Sequence, residues 1–395
     1  MERNLWLYPR YRALRDAIFW LPVFFLYFRS VLPAHQVLLL EAVYYAAVVV
    51  LEVPSGWWSD RVGRKPTLLI AAAAWVAGCW MFASTAALVP FLLGQVLLAL
   101  GMAFASGTDS AFLYDSLRAL EREDEVLAHE ARAAAWGLAG MGLAALAGGL
   151  LGAVDLRLGH AASALTACGA LLVVTQFTEP PRISRTSAEA VRAVFGLLRR
   201  PALIWLLAAS VVATIVNHVP YELFQPYLAL LLGDTWGGDS TPIAAGATVG
   251  LALLASSWAA GHAERVADRL GGPIALLLAL ALQGALIGAM AIAVHPIVGV
   301  LLGLRSVPQA LFAPVLASLV HPRVDSEVRA TWLSVMSLVG RLGFSGWLAG
   351  SAAWLGSGTL DHSAMQSLLV ATLAGLAAAI ALLGLSRVAV AGRAR

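Results

Sequence analysis

Nine ionisable side chains stand inside runs of sequence that are otherwise apolar: Arg29, Glu41, Glu52, Asp109, Asp115, His218, Glu222, Arg305 and Arg341. Placing such a group inside a bilayer costs a few kcal/mol or more, so each must be paired or employed. Their chemistry is limited to three tasks: pairing with one another, carrying a proton, and holding a charged solute. Asp109 sits in Gly107-Thr108-Asp109-Ser110, among small hydroxyl neighbours, and an intramembrane carboxyl of this kind is a usual proton carrier. Asn217 to Tyr227 gathers an amide, an imidazole, a carboxylate, Gln225 and aromatic rings around Pro220 and Pro226. Those prolines free backbone carbonyls, which is tolerated where a helix lines a cavity. The run reads either as a broken, ligand-contacting gate or as a kinked helix whose outer end reaches the polar interface. Glu52 and Asp115 lie near the ends of their runs and are expected to pair with loop arginines.

The elements that position these groups follow from composition. Of 395 residues, 60% are hydrophobic and 12% charged, with a mean hydropathy of +0.80, against about 25% charged residues in soluble domains. No soluble fold of this length hides so much apolar surface, so lipid is the solvent for most of the chain. Windows of about 20 apolar residues place spans at 17–33, 37–57, 67–87, 90–113, 132–153 and 161–177. A second set falls at 202–231, 243–260, 273–294, 297–319, 330–354 and 363–386. The expected class is an all-α polytopic membrane protein of twelve transmembrane helices in two pseudo-symmetric six-helix bundles. The bundles cover 1–177 and 201–395, and 178–200 joins them.

Orientation follows from the loops. With the N-terminus cytoplasmic, inside segments hold 22 of the 26 basic residues, outside loops hold only Arg157, and the rest lie in spans. That split is what the positive-inside rule demands, and it puts both termini in the cytoplasm. The residues before the first span, with Arg3, Arg10, Arg12 and Arg15, read as part of that cytoplasmic surface, with no cleavable signal. Within the joining segment, Thr186 and Glu189 form a capping box, and Val191, Val194, Phe195 and Leu198 follow at helical spacing. They read as a short amphipathic surface helix or as a lead-in to span seven. Cys79 and Cys168 both lie in apolar runs, so no disulfide framework is expected.

The two halves echo each other. Asp60-Arg61-Val62-Gly63 after span two returns as Asp268-Arg269-Leu270-Gly271 after span eight. Glu130-Ala131-Arg132-Ala133 before span five returns as Glu327-Val328-Arg329-Ala330 before span eleven. The first copy belongs to a longer run, Gly56-Trp57-Trp58-Ser59-Asp60-Arg61-Val62-Gly63-Arg64-Lys65. Gly56 permits close helix approach and Gly63 permits the turn. Asp60 can pair with Arg64, while Arg61 and Lys65 can reach lipid phosphates.

This run resembles the G-x-x-x-D-R-x-G-R-[RK] signature of the major facilitator superfamily, and with twelve spans and a half-length repeat the resemblance covers the whole chain. It implies a conformational latch at Gly56, Asp60, Arg61, Gly63, Arg64 and Lys65. A weaker copy is implied at Asp268 and Arg269, because Gly272 replaces the arginine there. It also implies a cavity lined by spans one, four, seven and ten, on which Arg29, Asp109, Glu222 and Arg305 fall. These four, with His218 and Gln225, are the expected substrate- and ion-binding residues, exchanging partners with a charged solute or proton. Gly140 to Gly149 resembles the family's antiporter motif, with Ala144-Ala145 in place of Gly-Pro, and serves equally as a small-residue packing face. Gln95 stands where the family often has an arginine tied to proton coupling.

No phosphate-binding loop, paired metal-ligand motif or nucleophile-base constellation is present, so an enzyme or ATP-driven pump has no residues to run on. The expected function is secondary transport of a small molecule by alternating access, proton-coupled and outward, with an amphipathic substrate. Uptake of an organic anion bound by Arg29 and Arg305 is the first alternative, and a non-transporting receptor or assembly partner the second. No cofactor and no nucleic-acid partner are expected. Membrane lipid, protons and the substrate are the partners of a monomer in the cytoplasmic membrane of a bacterium.

Overall fold

The computed structural model describes residues 1–181, 196–236 and 240–387, all helix and connecting turns with no strand among them. The joining-segment residues from Thr186 to Phe195 lie outside the described residues. Among the described residues, ten helices are long and apolar enough to cross a membrane. A broken first span and the 30-residue helix Ser326–Leu355 complete the twelve. The chain divides into two compact units, Met1–Arg185 with Asp239–Gly250, and Thr186–Gly238 with Leu251–Arg395.

Unit 1 begins with α1 (Glu2–Asp16), α2 (Phe24–Val31), α3 (Ala34–Val62), α4 (Arg64–Ser84) and α5 (Leu88–Ala105). It continues with α6 (Thr108–Arg118), α7 (Val126–Val154) and α8 (Arg157–Thr175). α5 packs on α3 and α4, α4 on α8, and α1 on α7 and α8. One face of the N-terminal helix is therefore packed into the unit: Asn4, Leu5, Leu7, Tyr8 and Tyr11 are buried, while Glu2, Arg3 and Trp6 are exposed. Asn4 donates to Ser116 Oγ at 3.0 Å and to the Thr178 carbonyl at 2.8 Å, tying α1 to the ends of α6 and α8. The first span is α1, an irregular stretch 17–23, and α2.

The irregular stretch begins where Ala17 leaves helical geometry at ψ 80°, and within it Pro22 has no N–H to donate. In lipid the freed backbone must find partners. Ser163 Oγ accepts from the Phe19 and Trp20 amides at 2.9 and 3.3 Å, and Thr166 Oγ1 donates to the Ala17 carbonyl at 3.1 Å. The fourth span is broken as well, where Gly107 adopts φ +74° between α5 and α6. A side chain resists that left-handed conformation, and glycine does not.

In unit 2 the helices are α9 (Pro201–Trp236), α10 (Thr241–Ala260, which begins in unit 1), α11 (Ala263–Leu270) and α12 (Gly272–Ile292). They are followed by α13 (Pro296–Leu301), α14 (Val307–Val320), α15 (Ser326–Leu355) and α16 (His362–Ser386). α9 packs against α15, and α12 against α14 and α16. Of the two readings of span seven, the broken one is not seen: α9 is one helix of 36 residues with Pro220 and Pro226 inside it. Prolines inside a bilayer helix are tolerated in general because surrounding protein can re-satisfy the freed backbone. Span ten is the one interrupted, by a 3₁₀ turn at Leu302–Leu304 and by Arg305 and Ser306. Asp361 caps α16, accepting from the Ala364 amide at 2.9 Å and Ser363 Oγ at 2.8 Å, and these bonds hold its carboxyl below the usual range. The repeat is visible in the backbone. Gly63 and Gly271, at equivalent places, have φ +121° and +80°.

Candidate functional site

The two helix breaks of unit 1 meet at a cluster of four charges. Asp109, in the first turn of α6, accepts from Arg15 Nη1 at 2.5 Å and lies 3.6 Å from Arg12 Nη1. Its other oxygen accepts from the Ser110 amide at 2.8 Å. Asp16 accepts from Arg15 Nε at 2.8 Å and from Arg12 Nε at 3.3 Å. Two cations and two anions cancel, as burial requires, since an unmatched charge there would cost several kcal/mol. The positive end of α6 adds a further reason for the carboxylate to sit where it does.

Beside the cluster lies a cavity of about 270 Å³, lined by Arg15, Asp16, Asp109, Tyr11, Trp75 and the small residues of α4, α5 and α8. That is near the lower end of small-molecule pockets. One end carries the charges; the remainder, with Ala71, Ala72 and Ala167, is apolar. The shape suits a small solute with a polar head.

Glycines of α7 hold the first span against this cavity. A Cβ at Gly148 would stand 2.0 Å from the Phe19 carbonyl oxygen, and one at Gly140 would stand 2.4 Å from that of Ala13. At Gly137 the obstacle is Asp16 Oδ2, also at 2.4 Å. The run resembling an antiporter motif thus acts within its unit as the seat of α1 and of the irregular stretch.

The residues of the signature run form a second network. The signature run is mostly helix: Gly56 to Val62 end α3, and Gly63 alone turns the chain into α4. Arg64 donates to Asp60 at 2.9 Å, to Ser59 Oγ at 2.8 Å and to Asp115 at 3.1 Å. The sequence expectations for Asp60 and Asp115 are met. Glu179 joins them, its two oxygens accepting from the Arg64 and Lys65 amides at 2.7 and 2.6 Å, so that a carboxylate caps α4. Lys65 Nζ donates to the Thr175 carbonyl at 2.9 Å. Arg61 lies over the Trp57 ring, 4.3 Å from its centroid. Gly56 has nothing within 4 Å of where a Cβ would be, so close helix approach is not its role here. In unit 2, Asp268 and Arg269 are exposed and form no ion pair among the described residues.

The remaining expected residues divide by place. Arg29 is exposed at the end of α2, donating to the Leu32 carbonyl at 3.3 Å, and Asp109 pairs with Arg15 and Arg12 instead. In unit 2, Glu222, Gln225 and Arg305 are all buried. The Arg305 guanidinium lies 4.3 Å over the Phe224 ring, and it donates to the Leu302 carbonyl at 3.1 Å. His218 Nδ1 is bonded to the Thr214 carbonyl at 2.7 Å, and Asn217 donates to Gln309 at 2.5 Å. This polar row on α9 faces the break in span ten from within the same unit. Reading the sequence misses Arg12, Arg15 and Asp16, because arginines near an N-terminus resemble a cytoplasmic tail. The available signal was Asp16, an acid set one residue after Arg15 and one helical turn after Arg12.

The comparisons agree with this architecture. The Major Facilitator Superfamily model matches residues 17–347. No curated protein matches the sequence. The nucleoside transporter NupG is 13% identical, with 98% of this chain and 99% of that one covered and a TM-score of 0.78. A bacterial homologue of the human lysosomal transporter Spinster, inward-facing and occupied, is 16% identical over 97% and 96% of the chains, with a TM-score of 0.70. Peptide transporter POT in complex with sulfate is 15% identical over 98% and 95%, with a TM-score of 0.73. At such identities the likeness establishes a fold. The family match, spanning most of the sequence, goes further: the chain belongs to the major facilitator superfamily, as an integral membrane protein of the secondary-transporter class.

Proposed function

We propose that this chain exports a small amphipathic solute in exchange for protons, binding it in the unit 1 cavity. The observation that carries the reading is the neutral cluster of Arg12, Arg15, Asp16 and Asp109 at two helix breaks beside an apolar chamber. A polar head can displace Arg15 from Asp109, while the apolar body rests on Trp75 and the alanines. Irregular backbone at membrane depth marks binding sites because it is tolerated only where it lines a cavity or is buried in protein. The Arg64 network supplies a bond set that alternating access can break and remake. The glycine run on α7 supports the outward direction, and the 22-to-1 distribution of basic residues supports cytoplasmic termini in a bacterial membrane.

A thermal-shift panel of ethidium, uridine and benzoate on the detergent-solubilised protein tests the site. A ligand at a hundredfold excess over its Kd adds about 2.7 kcal/mol, a rise of several degrees. At least one compound is expected to raise the melting temperature of the wild type and not of Asp109→Asn. An equal rise in both proteins would place the solute elsewhere.

A further inference from the structure

Glu41 is a buried carboxyl whose surroundings differ from those of Asp16, Asp60, Asp109 and Asp115, which all pair with arginines. It is 7% exposed. Its hydrogen-bond partner is Gln95, whose Nε2 donates to Oε1 at 2.7 Å. No cation lies within ion-pair distance of it among the described residues. Glu41 is seven residues into α3 and Gln95 seven into α5, which puts the pair about 10 Å inside the end of the bundle opposite the latch.

The helices packed on α3 offer little charge. α5 carries no ionisable residue. α4 carries Cys79, with Arg64 and Lys65 in its first turn at the latch end, and α2 carries Tyr27 and Arg29. On α3 itself the nearest titratable groups are His35, Tyr44 and Tyr45. A carboxylate in such surroundings would bear an uncompensated desolvation cost of several kcal/mol, whereas the neutral acid fits. Gln95 suits that acid, because a neutral amide can both donate and accept. An arginine there would fix the anion.

We propose that Glu41, held by Gln95, is a proton-binding site: it takes a proton from water at the bundle end opposite the latch and returns it to water, as carboxylate, when the bundle rearranges. The step balances as one O–H bond broken and one proton delivered to solvent. This assignment rests on the exchange reading above and supplies its coupling site, separate from the solute cluster. Along α5 and α6, fourteen residues separate Gln95 from Asp109, about 21 Å at helical rise.

Infrared spectroscopy of the full-length protein in proteoliposomes, with no solute added, tests it. The wild type is expected to show the carbonyl stretch of a protonated carboxyl at neutral pH, lost reversibly as the bulk is made alkaline. Glu41→Gln should lack that band, and Gln95→Leu should shift it while keeping it. A band retained in Glu41→Gln overturns the proposal. So does a wild-type band that never responds to bulk pH, since that would make Glu41 a structural group. Because no solute is involved, a titrating band alongside absent solute flux would refute the transport reading and leave the proton site standing.

Discussion

Asp109→Asn is expected to lower solute transport by about two orders of magnitude, the scale set by losing a positioning charge at a binding site. The same variant leaves Arg12 and Arg15 sharing Asp16 alone. Breaking a fully buried pair costs about 3–5 kcal/mol, and about 2 kcal/mol is expected here because Asp16 remains. Arg15 is also partly solvated, its side chain 25% exposed. Thermal denaturation in detergent would register the loss, and a second variant separates structure from function. Arg15→Gln with Asp109→Asn removes one charge of each sign, so stability should return to within about 1 kcal/mol of wild type. Transport should not return. Recovery of both would mean that the pair only braces the fold.

Gly148→Ala is expected to be the most disruptive single methyl addition in unit 1. The new Cβ would stand 2.0 Å from the Phe19 carbonyl oxygen, an obstacle that is backbone and lies in the irregular stretch. Overpacking typically costs about 1–3 kcal/mol and more when backbone must move, so a loss of about 3 kcal/mol is expected. The hydroxyl bonds of Ser163 and Thr166 to 17–20 would move with it, and the cavity beside Arg15 with them. Gly169→Ala is the matched control, since its Cβ would meet only the Leu14 side chain at 3.4 Å. That variant should melt at or slightly above the wild-type temperature, because alanine is the better helix former. Melting curves of equal quality for both variants would contradict the packing described for the first span.

These two sites show where the sequence is legible. Hydropathy gives the spans because lipid admits almost nothing else, and the asymmetry of basic residues supports an expected orientation because it is summed over many loops. The signature run is legible because its pairs, Asp60 with Arg64, are four residues apart on one helix. Arg15 with Asp109 is not, because the partners are brought together only by the packed bundle. Without that partner in view, Arg12 and Arg15 look like loop residues, and the first span appears to begin after them. The helix breaks are hard to place for a related reason. Proline is a strong local signal, yet α9 passes through two of them. The interruption in span four needs only Gly107, one glycine among many in an apolar run. Gln95 was visible as a missing arginine, and only the fold shows that it faces a carboxyl.

The export reading meets its most direct test in proteoliposomes loaded at acid pH, diluted into neutral buffer, and offered the compound that raises the melting temperature in the panel. Accumulation against its gradient is expected, collapsing when a protonophore is added and absent from Asp109→Asn. Uptake that proceeds equally with and without the pH difference, or that survives in Asp109→Asn, would contradict proton-driven exchange through the unit 1 cavity.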